Sequence, residues 1–386
     1  MNSFVRPWLI AFLLLGGLIA IGSQLLKLNA ETDRVPPSDT AFSLNDFLSN
    51  ASSGASGFTK AKRGTVLNFP EDHLAHPGYR SEWWYLNGSL WHADDLELRY
   101  GFQFTIFRQA LQASADAKSD WLQPQFYMGH IALTDYQTEQ HMYAERLTRQ
   151  GPGLAGTQAQ SLSVWLESWS LQALSSAALF PAQLIAGDPQ GRFSYRLTIT
   201  PEKPLVLQGD NGYSPKRREP GFASFYYSYT RLNITGEMMV GSKMIPVNGV
   251  AWYDHEWSSN SLAAYQVGWD WFSLQLDDGR ELMFMLLRSE DGQRDFRQVS
   301  LIDHSGGRLP LEPSEVELLT TGQWQAPEGG LYPSGWQIKV PRYGLDLVVL
   351  PRIPDQENRL SVRYWEGAVS VTGSHQGQGY VELTGY

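Results

Sequence analysis

Apolar and polar residues alternate with a period of two along most of this chain, and no long stretch repeats apolar residues at helical spacing. Leu96–Phe107 and Phe193–Thr200 are the clearest runs, and the pattern predicts further strands at 126–135, 226–240, 245–254 and 272–276. It continues at 282–288, 315–320, 336–340, 345–350, 360–372 and 380–383. Asp277-Asp278-Gly279 between two of these runs has the composition of a hairpin turn. The expectation is an all-β body of many short strands, for which closure into barrels removes exposed sheet edges. Trp83–Leu90 can be laid on Trp269–Leu276, each followed by a turn and a strand ending in arginine, Arg108 and Arg288. This weak repeat predicts two similar barrels in tandem, with the boundary near 250. Stretches 112–125 and 151–187 are expected as long insertions in the first.

The N-terminus has a different character. Arg6 precedes an apolar run from Pro7 to Ile21, with no acidic residue before Glu31, which is the pattern of a signal peptide or membrane anchor over 1–30. A polar linker over 31–59 follows, then domains at 60–250 and 251–386. Arg6 on the inner side would place the body across the membrane, so the expected location is periplasmic or on the outer face of the inner membrane. With no cysteine there is no disulfide or thiol chemistry, and stability rests on the core. A net charge of −10 without a basic stripe argues against a nucleic-acid partner.

The chemistry-bearing residues are concentrated in two runs, Glu82-Trp83-Trp84-Tyr85 and Trp252-Tyr253-Asp254-His255-Glu256-Trp257. Charge among indoles is costly unless it is paired or its proton affinity moves. On a strand, Trp252, Asp254 and Glu256 share one side, and Tyr253, His255 and Trp257 the other. Carboxylates two residues apart lie roughly 6.5–7 Å from each other, and in a poorly hydrated site their repulsion raises a pKa. A carboxyl kept protonated near neutrality is a proton donor, and aromatic walls stabilise a transient carbocation. The same residues also suit plain hydrogen bonding at a barrel closure, and Glu82 is either a cavity acid or a partner for Arg80 or Arg108. Alternation separates His255 from the two carboxylates, which disfavours a compact metal site completed by His130 or His76. In Phe225–Tyr229, the face of Phe225, Tyr227 and Tyr229 opposes that of Tyr226 and Ser228. One face is expected in the core and the other at the ligand.

The runs His76-Pro-Gly-Tyr-Arg-Ser-Glu-Trp-Trp-Tyr85 and Trp252–Trp257, with Gly268–Phe272 and Gly379–Gly385, resemble the AttH and carotenoid 1,2-hydratase (hydroxyneurosporene synthase) family. The resemblance covers residue 65 to the C-terminus. It implies two tandem lipocalin-like (calycin) barrels. One branch hydrates terminal double bonds of acyclic carotenoids with an aspartate as proton donor and no cofactor, a role that falls on Asp254. The AttH branch implies an exported lipophile-binding accessory of an ABC transporter.

Three readings follow. The first is an exported protein that binds an extended isoprenoid, carotenoid or lipid and hydrates a double bond. Asp254, His255 and Glu256 are its catalytic candidates. Glu82, Trp83, Trp84, Tyr85, Tyr227, Tyr229, Trp252, Tyr253 and Trp257 are its binding candidates. It needs no metal or cofactor. The second is a non-catalytic periplasmic carrier serving an ABC permease. The third is that the acidic–aromatic motifs only lock two barrels together.

Overall fold

The computed structural model describes residues 42–43 and 57–386, apart from 96, 114–123, 261–262, 264 and 294. The signal or anchor segment and most of the linker lie outside the described residues. Two large antiparallel sheets account for nearly all the structure. In the first, Ser81–His92 sits in the middle, with Leu98–Ala110, Gln125–Asp135 and Gln140–Arg149 laid down in order on one side. On its other side it pairs with Lys243–Asn260, the last strand of this sheet in the chain. Ala223–Val240, Phe193–Pro201 and four shorter strands continue from there.

The second sheet repeats this plan. Apart from the two-residue strand Phe42–Ser43, which pairs in parallel with Val362–Gly373, its first strand is Gln266–Leu276, which pairs with Glu281–Ser289 on one side and with the C-terminal strand Gly377–Leu383 on the other. Phe296–Ile302 continues outward on the first side, and Val362–Gly373 and Leu345–Pro351 on the second. First strand beside last strand curls each sheet, the first nearly closed and the second a half-barrel, and the fold is lipocalin-like. The two segments of the internal repeat are the first strands of the two sheets. The predicted hairpin also forms, with Gly279 at φ +81°, a conformation that costs glycine least.

Two expectations need correction. Residue 250 is the middle of Lys243–Asn260, and the chain passes to the second sheet only between 260 and 266. Stretch 151–187 is no insertion, because Ala155–Gln158, Ser163–Leu166, Trp169–Ala173 and Ala182–Gly187 complete the first sheet. Four to six residues give too few alternations to stand out in sequence.

Both barrels are filled by their own side chains. Trp84, Leu86, Phe102, Phe104, Tyr195, Tyr253 and Trp257 belong to the core of the first, and Phe272, Phe284, Trp336, Leu347 and Trp365 to that of the second. A third apolar cluster takes Tyr85, Tyr226 and Trp252 from the first barrel and Trp271, Met285, Ala368 and Tyr380 from the second. The outer faces of the two sheets therefore pack on each other. Gly101 allows the close approach, since a Cβ there would lie 2.5 Å from the Tyr380 hydroxyl and 2.9 Å from Ala368. Polar ties reinforce the contact: Glu281 accepts from Lys203 at 2.8 Å and Arg231 at 2.6 Å, and Gln103 donates to the Tyr364 hydroxyl at 2.9 Å.

Candidate functional site

Strand alternation divides the two aromatic–acidic runs between two places. Glu82, Trp84, Tyr253, His255 and Trp257 point into the first barrel, while Trp83, Tyr85, Trp252, Asp254 and Glu256 point out of it toward the second. The same parity puts Tyr227 and Tyr229 inside and Tyr226 and Ser228 outside.

The inner group forms a closed network at one end of the first barrel. Glu82 receives Arg108 Nε at 2.7 Å, the His76 amide at 2.8 Å, His76 Nδ1 at 2.7 Å and His255 Nε2 at 2.8 Å. His255 Nδ1 lies 3.0 Å from the Tyr227 hydroxyl, which lies 2.7 Å from His73 Nδ1. His76 stacks on Trp257 with ring centroids 3.8 Å apart and meets Asp72 through Nε2 at 3.0 Å. Burial works against a charged Glu82, but Arg108 and His76 outweigh it and hold the carboxyl well below its usual range. Burial likewise opposes a charge on His76, yet Glu82 and Asp72 raise its pKa to about 9. Burial leaves His255 and His73 below the usual histidine value, His73 at about 3. His76, Glu82 and His255 each offer an atom within 4.8 Å of the others, as a metal centre requires. All three atoms are already engaged in the bonds above, so an ion would have to break a satisfied network.

The outer group lines a cavity of about 70 Å³ between the barrels, partly open to solvent. Trp83, Tyr85, Phe107 and Tyr226 form the first barrel's wall, and Trp269, Trp271, Met285 and Leu287 the second's. Asp254 is 3% exposed and accepts three hydrogen bonds, from Ser228 Oγ at 2.5 Å, Trp252 Nε1 at 2.7 Å and the Tyr226 hydroxyl at 2.9 Å. Trp271 Nε1 of the second barrel donates to the same Tyr226 oxygen at 3.3 Å. Burial pushes the Asp254 pKa up to about 7; its three donors restrain the rise and neighbouring Glu256 adds to it. Glu256 pairs with Lys216 at 2.5 Å. Glu366 and Glu382 face the same space from the second barrel.

Of the expected site residues, the cavity thus gathers Trp83, Tyr85, Asp254 and Glu256, with Trp252 immediately behind Asp254. His255, Glu82, Trp84, Tyr227, Tyr229, Tyr253 and Trp257 belong to the interior of the first barrel and not to the cavity. The physical reason is the two-residue period, which sends neighbours in one motif to opposite faces of a sheet. Sequence reasoning missed Tyr226, Trp269, Trp271, Lys216, Glu366 and Glu382. A signal existed for two of them: the internal repeat sets Trp269 and Trp271 against Trp83 and Tyr85, and all four line the cavity.

Comparison with known proteins agrees with this architecture. The sequence profile described as AttH-like matches residues 60–386. The crystal structure of a Nitrosomonas europaea protein described as an AttH is 32% identical and superposes with a TM-score of 0.74, over 85% of this chain and all of that one. Kievitone hydratase from Nectria haematococca shares the fold at 14% identity, with a TM-score of 0.63 over 84% of this chain and 95% of its own. No curated protein matches the chain.

Proposed function

The chain belongs to the AttH-like family, and from that premise we propose that it binds an extended apolar molecule between its two barrels and adds water across a carbon–carbon double bond. The observation that carries this reading is Asp254: a carboxyl with a pKa of about 7, buried in an aromatic cavity and open to whatever occupies it. Such a group exchanges protons readily at neutral pH. The rings of Trp83, Trp269 and Trp271 favour a positive charge developing on the ligand. A fold shared with a hydratase, kievitone hydratase, is consistent with the reading but does not carry it. An isoprenoid suits the chemistry, because a trisubstituted double bond protonates to a tertiary cation. Action outside the cytoplasm, suggested by the N-terminal segment, belongs to the same proposal.

The test is incubation of the purified protein with squalene in detergent micelles in H₂¹⁸O, followed by mass spectrometry. A labelled alcohol that disappears in Asp254→Asn supports hydration. Squalene bound but recovered unchanged overturns it and leaves a lipophile carrier, the role in which an ABC permease becomes the natural partner.

A further inference from the structure

The hydration reading leaves two carboxyls of the cavity wall without a task. Glu366 and Glu382 are register partners on the adjacent strands Val362–Gly373 and Gly377–Leu383, so their side chains share one face. Both line the cavity. Glu366 is 1% exposed; its Oε1 accepts the Tyr85 hydroxyl, while its Oε2, shielded from solvent, meets no hydrogen-bond partner. Glu382 meets the Trp269 indole. Lys216 is the one basic side chain on the cavity wall among the described residues, and it pairs with Glu256.

Asp254 contrasts with this pair. Its oxygens receive two hydroxyl donors and an indole N–H. Donors of this kind stabilise the ionised carboxyl, and the pair has one for each member. The groups facing Asp254 are Tyr226, Ser228, Trp252, Glu256 and Glu382; those facing the pair are Tyr85, Trp269, Asp254, Glu256, Tyr364 and Tyr380. No cation among them favours ionisation of the pair.

The duplication explains how two such centres came to share a cavity. Asp254 is the register partner of Tyr85, and Glu382 that of Trp271. Tyr85 and Trp271 hold matching places in the two repeats, so Asp254 and Glu382 are equivalent residues of the two barrels. Their surroundings have diverged.

We infer that, in the hydration proposed above, the Glu366–Glu382 pair delivers the proton to the double bond and Asp254 accepts the proton of the water that adds. The alkene's π electrons form the new C–H bond, and the O–H electrons stay on the glutamate. A water lone pair forms the C–O bond at the cationic carbon, and the proton released from that water passes to Asp254. Alkene and water become alcohol, one proton moves from the pair to Asp254, and exchange with solvent through the opened cavity restores both. The pKa directions follow the count of donors: burial and Glu382 hold Glu366 well above its usual value, burial brings Glu382 to about 8, and Asp254 lies lower at about 7.

This assignment rests on the hydration reading, and one experiment separates the two. Squalene is incubated with sodium azide, an anion that traps a carbocation without needing a base. Wild type should give the alcohol. Asp254→Asn should lose the alcohol by at least ~100-fold yet still form the azide adduct, and the Glu366→Gln/Glu382→Gln double variant should form neither. If Asp254→Asn forms neither product while the double variant still makes alcohol, the roles are reversed and the inference is overturned. If wild type makes no product at all, the hydration reading itself has failed. Should a variant not fold, the wild-type pH profile decides: turnover that rises through about pH 7 and falls above about 8 supports the assignment, and turnover that only falls through 7 overturns it.

Discussion

The first barrel's interior and the cavity between the barrels each gather carboxyls and aromatic rings from the same two sequence motifs, yet they differ in how completely their polar atoms are matched. Inside, Glu82 is met by Arg108, His76 and His255, so each charged or titratable group around it has a partner. In the cavity, Glu366 keeps an oxygen with none, and one lysine stands against four carboxyls among the described lining residues. A buried polar network that is fully matched stabilises a fold, whereas one left incomplete costs stability unless a ligand or proton completes it. The contrast separates the structural half of the motifs from the half available for chemistry.

The inner network should govern stability. Arg108→Met leaves Glu82 buried without its cation and should cost about 3–5 kcal/mol, seen in urea denaturation. A loss below about 1 kcal/mol would mean that the inner network is not structural.

The cavity should respond in the opposite sense, and with pH. Asp254 holds its proton to about 7 in the fold against 3.8 unperturbed, and Glu382 to about 8 against 4.5. A carboxyl with a raised folded pKa contributes stability that is fully present below its unfolded value and is lost as pH rises through the folded one. Wild type should therefore lose stability from pH 4 to 8. Asp254→Asn removes one titration and should gain about 3 kcal/mol relative to wild type between pH 4 and 7, measured as Tm against pH. A constant Tm difference across that range would show that Asp254 titrates normally.

Two tryptophans, one in each region, should differ in their effect on ligand affinity. Trp269→Leu, on the cavity wall, should weaken binding of the neutral apolar fluorophore N-phenyl-1-naphthylamine by about tenfold, or ~1.4 kcal/mol, with little change in Tm. Trp84→Leu, inside the first barrel, should lower Tm and leave the fluorophore's affinity nearly unchanged. The reverse pattern would place the ligand inside the barrel. A surface control should respond least: Arg342→Ala breaks an ion pair with Glu315 whose arginine side chain is 52% exposed, and should leave Tm nearly unchanged.

What could be read in the sequence was local. Alternation predicted most of the long strands and separated Trp252, Asp254 and Glu256 from Tyr253, His255 and Trp257, because side-chain direction on a strand depends on residue parity alone. The repeat of Trp83–Leu90 in Trp269–Leu276 marked the first strand of each sheet. Parity could not say which face was core and which was cavity, since both faces of the strand are buried over residues 251–259. Tyr227 and His255 therefore passed for ligand residues as readily as Tyr226 and Asp254. Only the packing of one sheet's outer face on the other brought Glu366 and Glu382 opposite Asp254, across more than a hundred residues of chain. It also gave Glu82 to His76 and Arg108 and left Asp254 facing the cavity. Alternation along the chain is enough for the strands and the side each residue takes; what lies on that side follows from packing, because burial and hydrogen bonding depend on segments far away in the chain.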